Sequence, residues 1–101
     1  MLDKLKSVEE KFEDINAQLC DPDVVSDMEK YRKLMQDVKH LTPIVEKYRE
    51  YKKVVADLEE AKMLLDEGGL DKDFREMVLE QLEDSKQQVE VIGEELKILL
   101  L

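Results

Sequence analysis

Apolar residues recur along most of this chain in steps of three and four, the spacing that returns to one side of a 3.6-residue helix. The longest such stripe runs through Tyr31, Leu34, Val38, Leu41, Val45, Tyr48, Tyr51, Val55, Leu58, Ala61 and Leu65, with Lys and Glu filling the other sides. It predicts one helix over residues 26–66, about 60 Å long at 1.5 Å per residue. Ser26 with Glu29 three residues on reads as a capping box at its start. Gly68-Gly69 ends it, because glycine enters the left-handed region at little cost. A helix of that length with a single apolar stripe needs partners.

Two shorter stripes supply them. Leu2, Leu5, Val8, Phe12, Ile15 and Leu19 predict a first helix within residues 1–20, which Asp21-Pro22-Asp23 stops. A short turn through Val25 then folds the long helix back, setting Leu19 beside Met28, Ile15 beside Tyr31, Phe12 beside Leu34 and Met35, and Leu5 beside Leu41. Phe74, Val78, Leu82, Val89, Ile92, Leu96 and Leu99 predict a third helix over residues 71–100, with Asp71 as its N-cap. A turn centred on Gly68-Gly69 sets Leu41 against Leu96, Val45 against Ile92 and Val55 against Leu82. Lys52 and Ser85 then face each other as a polar layer that pins the register. Pro43 falls inside the long helix; the stripe keeps phase across it, which favours a kinked but continuous helix over a break.

The expected fold is therefore all-α. It is a single domain over residues 1–101, an elongated antiparallel arrangement of a short, a very long and a long helix. Three helices overlap near residues 2–10, 36–45 and 92–101, and a coiled-coil-like hairpin thins toward a Gly-Gly tip. Composition agrees with a narrow core: 42% of residues are charged and only 5% aromatic, against about 25% charged in an average soluble protein.

Charge changes the picture of partners. The net charge of −10 disfavours nucleic acid and anionic membrane for the chain as a whole. Residues 67–101 carry 4 basic and 10 acidic groups, whereas residues 30–53 carry 8 basic and 3 acidic. The simplest account is that the basic stretch complements the acidic third helix. The competing one is contact with ribosomal RNA or an acidic protein.

No catalytic pattern emerges. His40 is the only histidine and lies among charged neighbours, and Cys20 has no second thiol for a disulfide or metal site. A buried or half-buried place at the helix end is the default for Cys20. The acids between Asp66 and Asp73 do not have calcium-loop spacing. No enzyme activity, cofactor or small-molecule substrate is expected. Eight charges in the first twenty residues argue against a signal peptide, and no apolar run reaches the ~20 residues of a membrane span. A cytoplasmic protein with no membrane partner is expected. The leucine-rich run Leu96 to Leu101 has no polar tail. It reads as a boundary inside a longer protein, and Leu96, Leu99 and the leucines after them should meet another part of that protein or a second copy of this chain.

Several segments carry a family resemblance: Leu19 through Pro22, Glu29-Lys30-Tyr31 with Leu34, Leu41 with Pro43-Ile44-Val45 and Tyr48, Glu60 through Leu65, and Leu99-Leu100-Leu101. In that order the chain resembles the N-terminal domain of bacterial class I peptide chain release factors. The resemblance implies a parent protein that binds the ribosome at UAA or UAG and promotes peptidyl-tRNA hydrolysis. The codon-reading motif and the Gly-Gly-Gln loop of that family do not occur here, since Gly68-Gly69 is followed by Leu70. It further implies that this domain projects toward the stalk base of the large ribosomal subunit and is dispensable for hydrolysis itself. On that view Asp66, Glu67, Asp71 and Asp73 at the tip face a basic ribosomal protein, or the basic Lys30–Lys53 segment, Lys47 and Lys53 included, lies on rRNA; without a partner the tip is a solvated turn. The rival from another class is a free-standing coiled-coil interaction protein, such as a prefoldin-like subunit or a spectrin-like spacer.

Overall fold

The computed structural model describes residues Met1–Leu101 and is all-helical, with α1 Leu2–Gln18, α2 Pro22–Val25, α3 Met28–Glu67 and α4 Lys72–Leu99. α3 is the spine, and α1, α2 and α4 all pack on it. The molecule measures 62 × 28 × 20 Å with a radius of gyration of 19.2 Å, against about 13 Å for a compact globule of this length.

Local chemistry accounts for the helix ends. Asp71 caps α4 by accepting a hydrogen bond from the Phe74 amide at 2.8 Å. Gly68 and Gly69 take φ of 70° and 75° to make the turn. At the other end of α3 the cap is Asp27, which accepts from the Lys30 amide, and not Ser26. The Ser26 hydroxyl is engaged elsewhere, donating to the Asp23 carbonyl. α3 runs unbroken through Pro43. The Thr42 hydroxyl donates to the Val38 carbonyl at 2.6 Å, one turn back, next to the position where proline removes a backbone donor.

The turn between α1 and α3 is where the expected register fails. Asp21 caps a four-residue helix with Pro22 at its first position, the arrangement in which proline's missing N–H costs nothing. This added element, anchored by buried Val24, lets α1 lie against the middle of α3 and not its beginning. Leu2 therefore sits beside Tyr48, Tyr51 and Val55, about two turns beyond the position expected for it. The α3–α4 register also slips, by about one turn near the open end. Lys47 pairs with Glu95 at 2.6 Å, and a Cβ on Gly93 would lie 3.4 Å from the Tyr51 ring. Gly93 thus gives the tyrosine room.

A three-helix overlap does form, but α1 meets α3 around Ile44 to Val55 and not over residues 36–45. Leu5, Ile44, Tyr48 and Leu96 make its buried cluster, with Val8, Tyr51 and Leu100 packed against it. Leu96 is fully enclosed by this chain, so the expectation that it waits for another part of a parent protein or a second copy is corrected. Ile98, Leu99 and Leu101 remain exposed. Beyond the cluster the molecule is a two-helix arm in which only Ala61, Val78 and Ser85 are buried, small side chains that let the helices approach.

Candidate functional site

Two surfaces carry the residues that sequence reasoning selected, and they lie in different parts of the rod. The tip brings together Asp66 and Glu67 at the end of α3 with Asp71 and Asp73 at the start of α4, all exposed. Two of these acids have a local explanation. Asp71 is the N-cap, and Asp73 in the first turn complements the positive helix end. Asp66 and Glu67 have none. They occupy the last turn of α3, where the helix dipole disfavours negative charge, with no basic residue in that turn and no ion pair.

The basic stretch of α3 divides into two halves. Lys47 bridges Glu95 of α4 and Glu50, and these hydrogen bonds, Glu95 first, raise its pKa above the ordinary lysine value. Arg49 reaches α1 through Glu9 and Glu13 and lies over the Phe12 ring. Lys52 meets Glu9 at 3.0 Å and stands 4.5 Å from the centroid of the Tyr48 ring. The hydrogen bond from Arg49, then that from Lys52, holds the Glu9 carboxyl below the usual glutamate range. Lys53 pairs with Asp57 one turn on. This half therefore ties helices together, with α1 and not only α4 supplying the acids. The Lys52–Ser85 layer does not form, because Lys52 turns toward α1.

Lys30, Arg32, Lys33 and Lys39, in the other half, make no ion pair. Arg32 and Lys39 flank Met28, Tyr31 and Met35, residues expected to pack against α1 that stay exposed, while Lys30 and Lys33 fall on other sides of α3. The signal that would have found this surface is Asp21-Pro22, a cap-plus-proline helix start read only as a stop.

No group of three or more His, Cys, Asp or Glu side chains could hold a metal ion. Cys20 is exposed, contrary to the default of burial, and His40 is exposed on α3. No helix is long and apolar enough to cross a membrane.

Against this geometry, the model of the PCRF domain family matches residues 8–101. The chain belongs to the PCRF domain family. Among curated PCRF relatives, peptide chain release factor 1 of Caldicellulosiruptor saccharolyticus is 44% identical over all 101 residues. The proteins of that name from Carboxydothermus hydrogenoformans and Lactococcus lactis subsp. lactis are 43% and 42% identical over the same length. The chain spans 28% of the length of each of these relatives. No solved structure matches. The PCRF match takes in α3, the Gly-Gly turn and α4 entire, so both surfaces described above fall within the family domain. It replaces the reading as a prefoldin-like or spectrin-like coiled coil.

Proposed function

We propose that this chain is the N-terminal accessory domain of a translation termination factor of the release factor one type. The parent factor would read UAA and UAG and promote peptidyl-tRNA hydrolysis through domains outside these 101 residues, with the ribosome as its partner in the cytoplasm. The observation that carries the reading is the likeness to peptide chain release factor 1 along the whole chain, at 44% identity. The shape suits an accessory role: a 62 Å rod is built to reach.

Within that role, the tip is the ribosome contact. Asp66 and Glu67 hold negative charge against the helix dipole with no local compensation. A basic ribosomal protein at the stalk base is the matching chemistry, since phosphate would be repelled. Lys47 and Lys53 are the competing contact, on rRNA, and both are engaged by acids of this chain.

The test uses the full-length factor. Asp66→Asn with Glu67→Gln should slow ribosome association while leaving stop-codon choice and hydrolysis after binding intact. Asp71 is left in place because its loss would also remove a helix cap. Lys53→Glu should leave association unchanged. Normal association of the tip variant, with slow association of Lys53→Glu, would move the contact to rRNA. Loss of codon choice or hydrolysis in the tip variant would contradict the accessory role.

A further inference from the structure

The first third of α3 is an unfinished interface. Met28 is 70% exposed, Met35 43% and Tyr31 37%, although α1 and α2 both pack against the same helix. With half-buried Val38 they supply the apolar lining of a shallow groove, and Arg32 and Lys39 supply its charged lining. Residues 28, 31, 35 and 38 are spaced by three and four, so the apolar strip follows the helix axis for about three turns. That is the footprint of one helix laid along another.

Charge states what kind of helix fits. Every cation of the adjoining segment, Lys47, Arg49, Lys52 and Lys53, is neutralised by an acid of this chain. Lys30, Arg32, Lys33 and Lys39 are not, in a molecule whose net charge is −10. Of these, Arg32 and Lys39 line the apolar strip, and two unpaired cations beside it on an otherwise acidic protein call for an acidic, apolar partner. RNA fits less well. Tyr31 is the one aromatic ring available for stacking, and flexible methionines pack against aliphatic side chains of varied shape.

We infer that the Met28–Lys39 face of α3 binds an acidic amphipathic helix of a partner protein, with Met28, Tyr31, Met35 and Val38 taking its apolar side and Arg32 and Lys39 its carboxylates. The inference stands on this surface alone and does not depend on the reading of the tip.

The test is a charge swap on the intact 101-residue chain. The probe is a labelled synthetic helix of about 15 residues with Leu spaced by three and four and Glu on its flanks. Its twin carries Lys in place of Glu, and a single-stranded oligoribonucleotide serves as the third probe. Fluorescence anisotropy should show the acidic helix binding about tenfold or more tighter than the basic one. The double variant R32E/K39E should reverse that order, and Met35→Ser should weaken the acidic helix by about tenfold. All three positions are exposed, and circular dichroism checks that helix content is unchanged. Equal binding of the two peptides, or an order that R32E/K39E fails to reverse, overturns the inference. So does an R32E/K39E effect confined to the oligoribonucleotide. A doubled mass without any probe that Met35→Ser abolishes would assign the face to a second copy of the chain, and would equally overturn it.

Discussion

The three-helix junction and the two-helix arm are made from the same repeating stripe, yet they use it differently. At the junction Leu5 and Leu96 are completely enclosed and Val45 nearly so, because a third helix closes the side that a pair leaves open. In the arm the stripe residues Leu58, Leu65 and Leu82 are only half-buried, and Phe74 is exposed. Two helices shield a seam on two sides only. The difference teaches that stability is concentrated where α1 crosses the hairpin, while the arm contributes reach. Ala61, Val78 and Ser85 hold the arm together by close approach, with little apolar area to bury.

The largest effect should follow from breaking the junction. Leu96→Ala leaves a cavity where no side is open to solvent, and should cost about 2–5 kcal/mol in denaturant unfolding. Leu82→Ala in the arm should cost about 1 kcal/mol, since a half-buried side chain loses less. Equal losses at the two sites would dissolve the comparison.

At the far end, Gly68→Ala isolates backbone strain. Gly68 has φ 70° and ψ −165°, a region open almost only to glycine, and a Cβ there would touch nothing. The substitution should cost about 1–3 kcal/mol by conformation alone. A loss that small in a chain of this size lowers the midpoint by several degrees. An unchanged midpoint would mean that the turn relaxes freely. Asp71→Ala, which removes the α4 cap, should cost about 1 kcal/mol, and Asp71→Asn should restore most of it.

The smallest effect is electrostatic and belongs to the junction. Glu9 has a folded-state pKa below its unfolded value because Arg49 and Lys52 donate to its carboxylate. Its contribution is therefore complete above the ordinary glutamate range and fades as pH falls through the lowered value. Lys47 behaves oppositely. Raised by Glu95 and Glu50, it contributes below the ordinary lysine range and fades as pH climbs through the raised value. Thermal unfolding of Glu9→Gln should lose the acid-side slope that the unmodified chain shows. An identical acid profile in the two chains would place that slope on other carboxylates.

The arm was far more legible in the sequence than the junction. Asp71 and Gly68-Gly69 act through backbone chemistry confined to a few residues, so their roles follow from residue type and position. The all-helical fold, the long spine and its continuity through Pro43 follow from a stripe that never loses phase. The junction depends on how far α1 travels before turning back, and one extra turn at Pro22–Val25 moves every partner along α3. A stripe repeats every three or four residues and pairs almost equally well when slid by a turn, so periodicity cannot choose among registers. The charge pairs that do choose, Glu9 with Arg49 and Lys52, lie 40 and 43 residues apart. The same slip hid the exposed Met28–Lys39 face. At the tip, the identity of the acids was readable, but only the helix ends separate Asp71 and Asp73, which stabilise α4, from Asp66 and Glu67, which do not stabilise α3.

Shape tests the division between junction and arm most directly. Small-angle scattering from the monomeric chain should give a radius of gyration close to the 19.2 Å of the extended molecule, with a pair-distance distribution tailing toward 62 Å. A radius near the ~13 Å of a compact domain of this length would mean that the arm folds back on the junction. That result would contradict the account.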